Sequence, residues 1–495
     1  MSNNLCDFFN TADTKLGVLC HVSSLPNKYG IGDFGKCCYD FIDFLASNGV
    51  DIWQILPLNN TNEWNCPYGV TSSLTFDEQY IDPDHLVTLG LIDKGELKIL
   101  KKYKNTQRVK FDIVKKEKHR ILNLAWKNIH GELQEKVWQF AKEHPEFHDY
   151  GYYKALQIIH NEWDWHKMPK ELWKKGSKAY KEFADKYSKV IDKYVFFQYL
   201  LYTEWMLVRN YAKSRNVKIL GDLPIYPDRT SLDVMFNLKY FKLDKDYMPA
   251  LTGGVPPDDF CEEGQNWDSC IYDWDKLQKD GYSWIIKKLN VLQSYYDLLR
   301  IDHFAGFVEH FENNNADPSK SEWVKGGGVD LFNTIKEKCD LDRIVIEDLG
   351  IVRPEHKKVR SKFKLCGMNV LQFAFNKPNH EYLPQNVKKN SIYYLGTHDN
   401  NTYLGFLRTI PQEKKEKIFE YLNLPKMSDK KLVIESVKKL LASKSQTVVL
   451  QMQDYLMQNE KYKMNTPGKA EGSWEYRVPQ NYKKTFTKNL RKFLK

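Results

Sequence analysis

Short runs of β-branched and aromatic residues recur along the chain, and many close on a polar residue followed by Gly, Pro or Asn. Eight of these runs, at 16–21, 51–56, 217–222, 298–302, 343–347, 368–373, 392–399 and 447–452, read as buried strands. Between them lie stretches with helical spacing of apolar residues, such as 35–47, 284–296, 329–338 and 412–422. Near-continuous apolar strands alternating with amphipathic helices predict a parallel sheet covered on both faces. Eight such units predict an α/β chain folded as a closed (β/α)8 TIM barrel. A doubly wound open sheet is the alternative that strand counting leaves open.

The spacing of the strands is uneven. About 160 residues separate the second from the third, far more than a βα connection needs. Long helical patterns fill that interval, at 93–103, 111–141 and 178–209, so it reads as a mainly helical insertion. A second, looped insertion follows the third strand, over 226–275. The predicted organisation is therefore barrel strands 1 and 2 in residues 1–59 and the helical insertion in 60–216. Strands 3 to 8 follow in 217–495, with 226–275 as an active-site loop.

Composition changes this picture little. The net charge of +10 lies largely in Lys-rich helical stretches, for example Lys115-Lys116-Glu117-Lys118-His119-Arg120, where apolar residues interrupt the cations at helical spacing. These are solvated helix faces, and no nucleic-acid-binding motif accompanies them, so no nucleic-acid partner is expected. No apolar run is long enough to span a bilayer, and residues 1–9 carry no secretory signal, so no membrane partner and a cytoplasmic location are expected. The nine cysteines include no metal-binding spacing, which fits a reducing compartment and predicts no metal.

Gly30-Ile31-Gly32-Asp33-Phe34-Gly35 matches a dinucleotide fingerprint in form. The tight turn that would bring a phosphate to the helix is missing, because seven residues from Ser23 to Tyr29 intervene after the strand. Gly326-Gly327-Gly328 lacks the Lys-Ser/Thr of a phosphate loop and reads as a turn. No cofactor is expected.

Active sites of such barrels lie at the C-terminal ends of the strands. The third predicted strand ends on Asp222, the fourth on Arg300-Ile301-Asp302, the fifth on Glu347 and the seventh on His398-Asp399. A single Asp there caps a helix about as often as it does chemistry. Carboxylates closing four core strands point to one shared rim. A pair of carboxyl groups at such a rim is what glycoside cleavage requires. Arg300, two residues before Asp302, is expected to keep that carboxylate ionised. The apolar run before Glu347 is expected to raise its pKa. Spacing alone leaves retention and inversion open.

Arg300-Ile301-Asp302-His303-Phe304, Ile346-Glu347-Asp348-Leu349-Gly350 and Gly396-Thr397-His398-Asp399-Asn400 resemble the strand-end motifs of the amylomaltases. That family comprises 4-α-glucanotransferases, distant relatives of the α-amylases. The likeness runs nearly the whole chain, through residues 17–32, Trp53-Gln54-Ile55-Leu56-Pro57-Leu58, Gly221-Asp222-Leu223-Pro224-Ile225, Gly254-Val255-Pro256-Pro257-Asp258, Gly264-Gln265-Asn266-Trp267 and 464–474. It implies transfer of α-1,4-glucan segments by a retaining double displacement. In that scheme Asp302 is the nucleophile, Glu347 the general acid/base and Asp399 the transition-state stabiliser. Tyr68, Asp222, Asp258, Gln265, Trp267, Arg300 and His398 are the matching substrate-binding positions. The implied partners are α-1,4-glucans and maltooligosaccharides, bound by a monomer or homodimer. A hydrolase of α-amylase type and a non-catalytic glucan-binding protein are the alternatives. The chain departs from the family pattern at Cys66, Asp259 and Ala305, the last where an Arg is usual.

Overall fold

The computed structural model describes residues 14–257, 264–469 and 471–495. All eight predicted strands are present, as β1 (Lys15–Leu19), β2 (Ile52–Gln54), β3 (Lys218–Leu223), β4 (Leu298–Ile301), β5 (Ile344–Ile346), β6 (Gly367–Val370), β7 (Ser391–Tyr394) and β8 (Thr447–Gln451). They form one sheet in the order β5-β4-β3-β2-β1-β8-β7-β6, every pairing parallel. A bridge between Val345 and Cys366 joins the two ends, with Ile346 N donating to Cys366 O at 2.8 Å. This closes the barrel and decides against the open sheet.

The strands were legible because nearly every residue in them is buried. A barrel strand faces side chains inside and helices outside, so it reads as an apolar run rather than as alternation. Trp53 shows the outer packing: it is fully buried against Phe41 of helix Lys36–Ser47, ring centroids 5.3 Å apart, and its indole N–H donates to Cys20 O at 2.7 Å.

The segment after β2 is mainly helical, with finer divisions than the periodicity predicted. The pattern over 111–141 is two helices, Phe111–Lys127 and Gly131–Glu143, separated where Gly131 takes a positive φ of 58°. That over 178–209 is also two, Lys178–Lys186 and Ser188–Ser214. The stretch 93–103 holds only a 3-10 turn, Lys94–Leu97, and one helical turn, Lys98–Lys101. A further helix, Pro145–His160, was not predicted. It lies close against Ser188–Ser214 at Gly151, where a Cβ would come within 2.7 Å of Ile191 O. The far half of Ser188–Ser214 covers the barrel, with Trp205 donating to Tyr295 O at 3.0 Å.

The predicted loop insertion over 226–275 is half of a sheet. Strands Leu251–Val255 and Gln265–Cys270 pair antiparallel, and Glu309–Asn314 and Glu322–Lys325, which follow β4, complete a four-stranded sheet. This sheet and the hairpin Asn60–Thr61/Val70–Ser72 contribute residues to a cavity at the C-terminal end of the barrel.

The glycines of the fingerprint-like segment serve packing. A Cβ on Gly32 would lie 1.8 Å from Val22 O, and one on Gly35 would strike the Asp82 carboxyl at 2.4 Å. A carboxylate thus fills the position a phosphate would need at the start of helix Lys36–Ser47. Because the obstacle at Gly32 is backbone, Gly32→Ala is expected to destabilise the fold by about 1–3 kcal/mol. Urea unfolding of the variant checks this; an unchanged midpoint would refute the packing at this turn.

Candidate active site

The register of the barrel assembles the site. Asp222 on β3 is paired directly with Arg300 on β4. Both side chains point inward, and Arg300 Nη1 donates to Asp222 Oδ2 at 2.6 Å. Asp302 follows two residues after Arg300, and Arg300 Nη2 reaches its Oδ1 at 3.0 Å. Ile346 is paired with Ile301, so Glu347 leaves β5 beside Asp302 leaving β4. Backbone bonds carry this order past the strands: Asp302 N donates to Leu223 O and Glu347 N to Ile301 O. Of the adjacent acids 347 and 348, only Glu347 lines the cavity. Asp348 turns away, accepting from Met368 N at 2.8 Å and pairing with Arg360.

Glu347 is held by backbone. His303 N donates to its Oε2 at 2.7 Å and Leu349 N to its Oε1 at 3.1 Å. His303 aims its N–H there from a left-handed conformation, φ 43°, which is uncommon for a non-glycine residue and a recurrent feature of functional sites. Its imidazole is neutral, its pKa pushed down to about 3 by desolvation and by His356 and His310. The ring sits edge-on to Trp267 at 4.8 Å.

Asp399 comes off β7 in a tight turn in which Asn400 Oδ1 accepts from Thr397 N at 2.8 Å. Its carboxylate accepts from Asn465 Nδ2 at 2.6 Å and lies 3.2 Å from His398 Nε2. His398 stacks on Tyr68, with centroids 5.2 Å apart and planes 10° from parallel, and Trp474 leans on both rings. Tyr68 OH donates to Asp222 Oδ2 at 2.7 Å. The hairpin that carries Tyr68 is tight at Gly69, whose missing Cβ leaves room for the Asn62 amide.

The three carboxyl groups are tuned apart. Burial raises Glu347 to about 8, Asp302 adding to the shift while Arg300 and the two backbone donors oppose it. Burial also raises Asp302, to about 6, against the pull of Arg300. The ion pair expected between Arg300 and Asp302 forms and favours the ionised carboxylate, but desolvation outweighs it in setting the pKa. Asp399 moves the other way. Burial is again the largest influence and would raise it, but His398, Asn465 and Arg300 together bring it down to about 2.

A cavity of about 390 Å³ contains Tyr68, Gln265, Trp267, Arg300, Asp302, Glu347 and Asp399 in its lining. Asp222 and His398 stand directly behind, through Arg300, Tyr68 and Asp399. Trp267 donates its indole N–H to Gln265 Oε1 at 2.9 Å, which fixes that pair on one edge strand of the antiparallel sheet. Asp258 and Asp259 lie outside the described residues. Cys66 faces the same cavity with a thiol raised to about 11 by burial, so it presents a neutral group there. Sequence reading did not single out Asn465, His303, Tyr226, Trp323 or Trp474, all of which line the cavity. Asn465 and Trp474 sit in a loop beyond β8, Trp323 on the strand Glu322–Lys325 and Tyr226 past the end of β3, and only His303 is next to a residue chosen for strand-end position.

Among the described residues, no group of His, Cys, Asp and Glu is placed to hold a metal ion, and no helix is long and apolar enough to cross a membrane.

A model of the 4-alpha-glucanotransferase family matches residues 20–482. The chain is 35% identical to a 4-alpha-glucanotransferase of Aquifex aeolicus over 481 residues, covering 96% of this chain and 98% of the other. It is 33% identical to one of Clostridium butyricum over 476 residues, covering 95% and 97%. Among solved structures, an amylomaltase from Streptococcus agalactiae in complex with acarbose superposes with a TM-score of 0.91 at 29% identity, over 97% of this chain and 99% of that one. An amylomaltase from Corynebacterium glutamicum shares the fold, with a TM-score of 0.78 at 15% identity, over 98% and 76%.

The amide of Asn465 is the shortest contact made by Asp399. Asn465→Ala is expected to move the Asp399 pKa upward from about 2 towards the ordinary carboxylate range. Carboxyl-carbon NMR titration of the variant against wild type reads this shift; no movement would mean that the amide does not set the ionisation of Asp399.

Proposed function

The chain belongs to the 4-alpha-glucanotransferase family and acts on α-1,4-glucans, and on that premise we propose that its cavity transfers glucan segments by a retaining double displacement. Asp302 attacks the anomeric carbon of the donor while Glu347 gives its proton to the departing glycosidic oxygen. This breaks the α-1,4 bond and leaves the donor segment on Asp302 as an ester of inverted configuration. The 4-hydroxyl of an acceptor glucan then gives its proton to Glu347 and attacks the same carbon. Asp302 departs as a carboxylate, and the second inversion restores the α bond.

The observation that carries this reading is the placement of two partly buried carboxyl groups on neighbouring strand ends with pKa values of about 6 and about 8. Near neutral pH the first is an anion able to attack and the second still holds the proton it must deliver. Asp399, kept ionised, faces the positive charge that develops on the sugar ring in the transition state. Asp222, Arg300, His398 and Tyr68 hold the sugar at the cleavage point, and Gln265 and Trp267 grip the glucan from the antiparallel sheet. Asp258 belongs with them by its position in the same insertion.

Transfer prevails over hydrolysis when a bound acceptor occupies the place water would take. Incubation with maltotriose is expected to give glucose together with a ladder of longer maltooligosaccharides; products that are only shorter would leave a hydrolase. Asp302→Asn is expected to lower turnover by on the order of 10⁴-fold or more while glucan binding persists. The pH dependence of kcat/KM is expected to be bell-shaped. Activity rises as the site loses the proton of Asp302 through about pH 6 and falls as Glu347 loses its own through about pH 8. The two groups interact, so the limbs belong to the pair. A profile that is flat from pH 5 to pH 9 would defeat the assignment.

A further inference from the structure

The wall beyond Glu347 carries an aromatic residue with no role in the scheme above. Trp323 lies on the edge strand Glu322–Lys325 of the antiparallel sheet and lines the same cavity as Glu347, Leu349, Gly350 and Ile351. It is the register partner of Phe311, whose ring meets it edge-on at 5.6 Å. The guanidinium of Arg353 lies over the indole at 5.1 Å, and Arg353 is itself fixed by Glu309 at 2.9 Å. One face of the indole is therefore covered by an anchored cation and one edge by a packed ring. The side chain is only partly buried and contributes to the lining of the cavity.

Its position relative to the chemistry is defined by sequence neighbours. Arg353, which backs the indole, is six residues past Glu347, the group that handles the leaving and entering oxygen. His398, Tyr68 and Trp474 form a separate aromatic group on the side of Asp399, which His398 contacts at 3.2 Å. Trp267 and Trp323 sit on the two outer strands of one four-stranded sheet. Three strand spacings separate those strands, about 14 Å, which is room for more than one pyranose ring along the sheet.

We propose that Trp323 is the acceptor platform of the site: the sugar that enters to accept the glucan segment stacks on its open face, held flat because Arg353 and Phe311 fix the indole from behind. This rests on the transferase reading above and names the residue that selects a glucan hydroxyl over water. An indole offers a broad apolar face to the C–H face of a pyranose at little entropic cost, and Arg353 prevents it from folding away.

The test separates the two half-reactions. α-Maltosyl fluoride loads the enzyme with a leaving group that has no ring to stack, and labelled glucose then serves as the acceptor. Trp323→Ala is expected to release fluoride within about twofold of the wild-type rate at saturating acceptor. It should need roughly tenfold more glucose for half-maximal transfer, and hydrolysis should take a larger share of the product. Trp323→Phe should recover most of the acceptor affinity. An unchanged glucose dependence in Trp323→Ala overturns the proposal. So does a loss of fluoride release as large as the loss of transfer, which would make the residue merely structural. Failure of wild type to use glucose as acceptor would instead defeat the transferase reading, so the two failures are distinguishable.

Discussion

Arg300 is 4% exposed and lies between two carboxylates. A guanidinium taken out of water at the mouth of a barrel costs several kcal/mol unless its charge is answered at close range. Asp222, wholly buried, answers it from β3, and Asp302 answers it from the end of its own strand. Burial works against the charge on Arg300, but Asp222, Tyr68 and Asp302 more than restore it. The pairing also sets the difference between the two acids proposed to react. Asp302 and Glu347 are both desolvated, yet only Asp302 makes a direct ion pair; Glu347 is held by two neutral N–H groups. One barrel mouth therefore holds an anion and a proton donor side by side. Neutralising Arg300 would raise the pKa of both acids, because the guanidinium lowers each of them, and Asp302 would lose its only direct ion pair.

The barrel was legible because its constraint is local: a strand buried on both faces must be apolar, and its polar terminus marks where it leaves the core. The same rule found Asp222, Asp302, Glu347 and Asp399 as a group, since each follows a buried run in register with its neighbour. Periodicity failed where tertiary contact replaces amphipathicity. Helix Pro145–His160 buries Phe147 and Tyr150 through Tyr153 together with Ala155, Leu156 and Gln157, a face too wide to stand out as a stripe. The antiparallel sheet escaped because half its strands lie beyond β4 and are rich in polar residues. Glu309–Asn314 and Glu322–Lys325 are only partly buried, as suits a sheet with one face on a cavity. Asn465 and Trp474 were hidden for a different reason. They reach the cavity from a loop more than sixty positions beyond Asp399, and no spacing rule connects a loop residue to a strand end.

The antiparallel sheet extends the consequences of the ion pair to the substrate. Its strands come from the connections after β3 and after β4, the two strands that carry Asp222 and Arg300. The sheet bearing Gln265, Trp267 and Trp323 is thus anchored to the same pair of strands as the buried charge. His303 completes the link, since its backbone holds Glu347 while its ring packs on Trp267. A displacement of the sheet would move that ring contact and, through one residue, the donor that fixes the acid.

The charge balance follows from the same framework. Near neutral pH, Arg300 is cationic, Asp302 and Asp399 are anionic and Glu347 is neutral, with His303 an uncharged ring. Asp222 offsets the guanidinium it contacts. The centre therefore faces an incoming sugar with an excess of negative potential. In the proposed double displacement, that field does nothing for a neutral ground-state pyranose but stabilises the positive charge that appears as the glycosidic bond breaks and again as the ester is displaced. Its effect is confined to the two transition states, which is the condition for lowering the barrier without tightening the hold on substrate or product.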